Sequence, residues 1–498
     1  MRKTAGILFF LKLLKIPINI YILSLTAKYF GVTFNRDLWL LSFTAMMALD
    51  LAIWGPINET FRVKFIIIKE NQGEQRAIYL TQSLLFYIFA ISVIIVGFII
   101  LFSDSIANLL APEYSVIQHI KLIEMLMYVA PVLLVNQIMQ IGISILNAYE
   151  IFYVPEISGF VTSILNVFLL IFLAPIIGIY ALLVSYFITT VVLIFFILIY
   201  IKKKNIPIFK INWNIKFDGF KTFFLFAIPF FLPYFFGQIN SVVEKSLSST
   251  LGQGMVSILD YANKIPSMMS SLLVSIITTL LIPVLSKNFI QGNNFEYNEE
   301  FRKMFQLGFL IIGLIISTMM GAGEAIVKIL YDNGNISQYD LNQVVIFSIL
   351  YSWSLLGVFS YIIFGMSLLS SQNSKLYAIL GMITQIIVVV LNFIFIKIVG
   401  AYIFPLSLFI AHGLTALLMA RKYPFKNNSL NIVVLKYLSL VLVMSFLLFL
   451  LKDYILIDNY YIKIVIVVII EFLLLLALVF IFKMDEKNLI LQKIKKYL

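Results

Sequence analysis

Lys12 and Lys15 stand three residues apart in an apolar run, close enough on a helix to share one face. Asp50 sits in the next apolar run with no local partner, and Glu59 and Arg62 follow at that run's end. Glu244 and Lys245 close a later run. Asp260 and Lys264, four residues apart, share a face of the one after it. A charge at mid-bilayer costs roughly 2.5–3.5 kcal/mol on insertion scales, so charged side chains in such runs normally face a cavity and carry function. Cations and carboxylates at these places point to a central amphiphilic cavity.

Each residue also has a plainer reading. Lys12 can snorkel to the interface, and Asp260 and Lys264 can simply pair with each other. Asp50 would pair with Lys15 or Lys264, and Glu471 reads as a helix-packing or lipid-groove residue. His119 falls in an expected outer loop and reads as solvated. His412, next to Gly413, suits a hydrogen-bonded packing role better than a ligand role.

The elements that must position these residues follow from composition. Of 498 residues, 62% are hydrophobic and 12% charged, with no cysteine and a mean hydropathy of +1.02. This excludes a disulfide scaffold, a Cys-based zinc site and a thiol nucleophile, and it marks an all-α polytopic membrane protein. About 20 apolar residues cross the hydrocarbon, and only helices satisfy their own backbone there. Fourteen runs qualify: 5–28, 38–58, 77–103, 121–147, 153–175, 178–201, 220–243, 256–285, 303–330, 343–370, 376–398, 401–420, 430–451 and 462–482. The first is expected to be retained as a span, because Lys12 and Lys15 interrupt it and no small-residue cleavage site follows.

With the N-terminus placed inside, 24 of the 36 Lys and Arg residues fall in cytoplasmic loops and 7 on the opposite face. That bias predicts cytoplasmic N- and C-termini. It also accounts for the net charge of +12 through basic loops facing an anionic leaflet, with no nucleic-acid partner.

The basic stretch 202–219 divides the first twelve helices into lobes 1–201 and 220–421, leaving 422–498 for two further helices and a basic tail. Leu165-Asn166 leading to Gly178-Ile179-Tyr180 has a counterpart in Leu391-Asn392 leading to Gly400-Ala401-Tyr402. Such a repeat predicts two six-helix lobes related by a pseudo-two-fold, with a substrate site at their interface. The charged runs beginning at 5, 38, 220 and 256 are equivalent pairs under that repeat. Pro17, Pro229, Pro233 and Pro266 interrupt three of them, as gating bends or as static kinks. No Walker A motif is present, so transport must draw on membrane potential, a coupling cation (sodium or a proton) or the substrate gradient. No cofactor is expected.

A set of short motifs carries a resemblance. Ala27-Lys28-Tyr29-Phe30-Gly31 with Asp37, Ile145-Leu146-Asn147-Ala148-Tyr149 with Val154-Pro155, and Leu165-Asn166-Val167 come first. Gly254-Met255-Val256-Ser257, Tyr261-Ala262-Asn263-Lys264, Leu281-Ile282-Pro283-Val284-Leu285-Ser286 and Leu330-Tyr331-Asp332-Asn333-Gly334 with Asp340 follow. In order and spacing they resemble the lipid II flippases of peptidoglycan synthesis, the MurJ/MviN family of the multidrug/oligosaccharidyl-lipid/polysaccharide exporter superfamily.

The resemblance implies a two-lobed, alternating-access transporter of the bacterial cytoplasmic membrane rather than an enzyme. Its cargo would be a polyprenyl-diphosphate-linked saccharide, either lipid II or a surface-polysaccharide unit. Membrane lipids and glycan-assembly enzymes are the expected partners, and the chain is expected to be a monomer. Lys15, Lys264, Lys12 and Arg62 would hold the diphosphate, with Asp50 and Glu59 pairing with the lysines when the site is empty or accepting sugar hydroxyls. The last two helices would form a groove for the prenyl tail. The family's arginines are replaced: Lys264 stands for one, Ile16 and Ile22 for others, and Leu49-Asp50 for a pair. A cation-coupled multidrug or metabolite antiporter on the same fold is the alternative, favoured by Asp50 alone.

Overall fold

The computed structural model describes residues 2–206, 208, 216–332, 335–425, 428–455, 457–482 and 484, without the side chains of 2–10, 12, 13, 275, 276, 278–280 and 428–431. The described residues form sixteen α-helices and no strand. These are α1 (Arg2–Phe30), α2 (Phe34–Gln72), α3 (Glu74–Leu101), α4 (Ser103–Leu110), α5 (Val116–Val129), α6 (Val132–Ala148), α7 (Tyr153–Ile177) and α8 (Tyr180–Lys203). Then come α9 (Asp218–Ser249), α10 (Met255–Ile290), α11 (Asn294–Tyr331), α12 (Gln338–Ser370), α13 (Ser374–Val399), α14 (Ile403–Ala420), α15 (Asn428–Leu451) and α16 (Tyr460–Ile481).

Fourteen spans account for all but one of these helices. α5 and α6 together make the span expected over 121–147, broken at Ala130-Pro131. Proline has no N–H to donate and crowds the preceding turn, so Leu133 N–H closes on the Ala130 carbonyl and α6 starts afresh. α4 is a short extra helix with a buried apolar edge, Ala107 and Leu110. Pro17, Pro56, Pro175, Pro229, Pro233, Pro266 and Pro283 all lie inside continuous helices.

Two compact units result. The first comprises Met1–Ser257 with Asn333–Ile336, the second Ile258–Asp332 with Ser337–Leu498. In the first, α2 runs for 39 residues, about 58 Å at 1.5 Å per residue, and packs against α9, α6, α3 and α5. Its buried face supplies Trp54, Phe61 and Phe65 to an apolar core in which Phe61 stacks on Phe223 of α9 at 5.0 Å. By packing, then, α9 belongs with α2 and α3, although the repeat in the sequence sets 220–243 at the head of the second lobe. Compactness and duplication are different properties, and packing says nothing about which helices were copied.

In the second unit α12 lies closely along α14, and α11 against α15, α12 and α16. Gly357 makes the α12–α14 approach possible, because a Cβ there would come within 2.5 Å of the Phe409 carbonyl oxygen. Phe301, Phe305, Phe309 and Phe359 fill the core beneath.

The repeated Gly-x-Tyr signature forms one turn twice. Gly178 ends α7 with φ 58°, ψ −136°, and Gly400 ends α13 with φ 58°, ψ −141°. Only glycine enters that region without strain.

Candidate functional site

Lys15 points from α1 to α7, where its Nζ lies 3.2 Å from Glu156 Oε2. The ammonium passes over Gly159, where a Cβ would sit 2.8 Å from it. With 22% of its side chain exposed, Lys15 is half-buried but reachable. Glu156 was not among the residues singled out in the sequence, although it directly follows the Val154-Pro155 motif at the mouth of an apolar run. The side chain of Lys12 is outside the described residues.

Asp50 is buried in the first unit, 1% exposed. Its expected pairing with a lysine gives way to a different arrangement. Asn136 Nδ2 donates to Oδ2, and Gln137 Nε2 donates to Oδ1 at 2.7 Å. Both amides lie on α6, held across from α2 by the packing already described. Tyr186 of α8 reaches Asn136 Oδ1 at 3.4 Å, and Asn58 Nδ2 reaches Gln137 Oε1 at 3.4 Å. The paired amides were legible as two adjacent polar residues in an otherwise apolar run, but nothing local assigned them to Asp50.

Glu59 and Arg62 lie exposed toward the end of α2. Glu59 accepts from the Tyr234 hydroxyl at 3.3 Å rather than from a lysine. Tyr234 itself lies over Gly55, where a side chain would collide with the ring. The Arg62 guanidinium is placed over the Phe152 ring, 5.1 Å from its centroid. Lys15, Asp50, Glu59 and Arg62 therefore each have their own partner within the first unit.

In the second unit Lys264 Nζ lies 3.1 Å from Asp260 Oδ1, one helical turn away on α10. The lysine side chain is 42% exposed and the aspartate 10%. Asp260 therefore holds the ammonium from one side, and the exposure of the lysine side chain leaves its other sides open to a ligand. A partly solvated lysine of this kind can meet an anion as a point charge, without the planar fork of an arginine.

The plainer candidates resolve as packing residues. Glu471 on α16 accepts from Ser317 Oγ and from Thr318 Oγ1 (2.7 Å) on α11. His412 Nδ1 meets the Leu408 carbonyl at 2.9 Å, with its ring edge-on to Tyr361. His119 corrects the loop expectation: it lies in the first turn of α5, half-buried and edge-on to Tyr114.

A cavity of about 450 Å³ opens where α3, α6 and α8 end or begin, lined by Glu74, Tyr149 and Lys204 among others. It holds none of the expected site residues. Tyr149 donates to Glu74 at 2.5 Å, and burial together with that carboxylate holds its phenol above the ordinary range.

Two motif fragments quoted above as separate signals meet in space. Asp37 of α2, fully buried, accepts from Gly254 N–H (2.6 Å), Ser257 N–H (2.9 Å) and Ser257 Oγ (2.5 Å) at the start of α10. Asn335 lies with its backbone against Gly31 and donates from Nδ2 to the Tyr29 carbonyl at 3.1 Å. A family model described as "Lipid II flippase MurJ" matches residues 26–476, which takes in all of these fragments.

The chain belongs to the MurJ family.

A lipid II flippase MurJ of Burkholderia cenocepacia is 21% identical over 280 residues, covering 55% of this chain and 54% of that relative's length. This chain therefore spans about half of that relative in the alignment. A solved lipid II flippase MurJ in an inward closed conformation superposes with a TM-score of 0.81 at 21% identity, covering 96% of this chain and 99% of the other. The MurJ fold thus extends over nearly the whole molecule. An inward-facing multidrug resistance MATE family transporter of the MOP superfamily gives a TM-score of 0.67 at 14% identity, covering 81% of this chain and 92% of the other. That likeness is one of fold and does not favour a drug as cargo.

Proposed function

We propose that this chain is a flippase, a transporter rather than an enzyme, that moves a polyprenyl-diphosphate-linked saccharide from the inner to the outer leaflet. Lipid II is the first candidate and a surface-polysaccharide repeat unit the second. The observation that carries this reading is the MurJ family match over residues 26–476.

A diphosphate brings about two negative charges, and partly desolvated cations answer them through charge-assisted hydrogen bonds. Lys264, open beside Asp260, and Lys15, reachable beside Glu156, are the residues proposed to meet it. Lys12 and Arg62 are the next candidates. Glu59 has one hydrogen-bonded neighbour and retains oxygen for a sugar hydroxyl, whereas Asp50 is enclosed by amides and is less suited to that part. Two six-helix lobes working by alternating access, with the last two helices serving the prenyl tail, complete the proposal. So do membrane potential or a coupling cation as driving force, a monomeric state, and cytoplasmic termini in the inner membrane, the last supported by the 24-to-7 bias in Lys and Arg.

The test is complementation of a bacterial strain depleted of its own lipid II flippase. Growth restored by this chain supports lipid II as cargo. No growth, with the protein abundant in the membrane, removes lipid II and leaves the polysaccharide unit.

A further inference from the structure

The cavity of about 450 Å³ in the first unit holds none of the residues assigned to the cargo. Its volume falls in the range of small-molecule sites, roughly 300–1,000 Å³. Two helices build its wall in the same way. α6 and α8 each end in a left-handed residue, Glu150 (φ 60°) and Asn205 (φ 54°). An isoleucine N–H closes each turn, Ile151 on the Leu146 carbonyl at 2.9 Å and Ile206 on the Ile201 carbonyl at 3.1 Å. Such a cap folds its apolar residue back against the helix, and Ile151 and Ile206 join Ile78 of α3 as a buried floor.

The rim is polar and carries both signs. Tyr149 donates to Glu74 Oε1, and Lys69 Nζ stands 3.9 Å from the same oxygen. Among the described residues, Glu74 Oε2 has no partner. Lys204 supplies a cation, and Gln75 and Asn205 supply amide donors; among the described residues none of these three side chains has a partner either. Tyrosines gather around the mouth. Tyr153 and Tyr200 pack edge-on with ring centroids 5.8 Å apart, and the Arg76 guanidinium covers the Tyr79 ring at 5.4 Å. Tyrosines at the ends of spans mark the headgroup level of a bilayer.

The charges select among headgroups. A glycerol headgroup brings only negative charge and leaves Glu74 facing it. Choline brings a cation with no N–H for Oε2, and Lys69 already covers the Tyr149 ring at 4.3 Å, where a quaternary ammonium would sit. A primary ammonium two carbons from a phosphate answers both signs. Its N–H groups reach Glu74, its phosphate oxygens accept from Lys204, Gln75 and Asn205, and its methylenes rest on the isoleucine floor.

We propose that this cavity binds the phosphoethanolamine headgroup of a membrane phospholipid, with Glu74 receiving the ammonium and Lys204 the phosphate. The site stands whatever the cargo of the transporter is.

Binding is measured by native mass spectrometry of the delipidated full-length protein in detergent, titrated with dioleoyl phosphatidylethanolamine, phosphatidylcholine or phosphatidylglycerol. The ethanolamine lipid is expected to fill one site at least about tenfold more tightly than either of the others. Glu74→Gln should abolish its preference over the choline lipid. Lys204→Ala should weaken it about tenfold, and Lys202→Ala, on the same helix end but outside the cavity, should change neither. All three positions are exposed, so the variants are expected to melt with the wild type. Should Glu74→Gln lose its fold with the Tyr149 contact, Lys204→Ala carries the test. Equal affinity for the three lipids overturns the site, as does an intact preference in folded Glu74→Gln or undiminished binding by Lys204→Ala. Soluble glycerophosphoethanolamine should compete at least about tenfold more weakly than the lipid. Competition as strong as the lipid's would make the ligand a free zwitterion and overturn the membrane source.

Discussion

Asp37 and Ser257, 220 residues apart in the chain, are joined by two hydrogen bonds: one carboxylate oxygen accepts from both the backbone N–H and the hydroxyl of Ser257. The other oxygen accepts from Gly254. A helix starts with N–H groups that have no intrahelical acceptor, and here a carboxylate from α2 takes that place for α10. Hydrogen bonds to a charged group contribute roughly 1.5–3 kcal/mol. Asp37→Ala is therefore expected to destabilise the protein by about 3 kcal/mol, read as a lowered melting temperature in detergent. Asp37→Asn keeps one acceptor and costs about half as much. An unchanged Asp37→Ala melting temperature would deny this contact a structural role.

Gly178 and Gly400 share one backbone geometry, and nothing lies within 4 Å of a Cβ added at either. The cost of a side chain there is backbone strain alone, of order 1–3 kcal/mol. Gly178→Ala and Gly400→Ala should lower stability by similar amounts. Gly97→Ala, in an equally open helical site without positive φ, should be neutral or slightly stabilising. A marked difference between the two turn variants would show that the repeat does not preserve one turn.

The Lys15–Glu156 pair is about a quarter exposed on each side, so solvent screens it and its net contribution to stability is below about 1 kcal/mol. Lys15→Ala and Glu156→Gln should both melt close to wild type. Their transport should separate, with Lys15→Ala reduced at least about tenfold, the equivalent of 1.4 kcal/mol, and Glu156→Gln near normal because it leaves the ammonium in place. Equal loss in both variants would make the pair structural.

The number of spans was legible because twenty apolar residues in a row have one solution in a bilayer. The Ala130-Pro131 break was not legible, because a proline in an apolar run decides nothing by itself: Pro17, Pro229, Pro233 and Pro266 lie inside continuous helices. Partners across helices were not legible. Asp50 and Asn136 are 86 residues apart, Lys15 and Glu156 are 141, and helical periodicity carries no information about which face of one helix meets which face of another. Contact between Asp260 and Lys264 was legible as one of two readings because the pair is local, one turn apart on one helix. The same holds for Gly178 and Gly400, whose conformation is a property of the turn itself.

The central claim is that this chain carries lipid II outward and that Lys264 meets the diphosphate. The direct measurement is the leaflet position of lipid II in a strain whose own flippase is shut off, read by an enzyme outside the cell that cleaves only outward-facing lipid-linked glycan. With this chain expressed, lipid II should be cleaved. With Lys264→Ala at equal membrane abundance it should stay protected, and Lys264→Arg should restore cleavage. Protected lipid II in the presence of abundant wild-type protein would contradict the function, and full cleavage with Lys264→Ala would contradict the site.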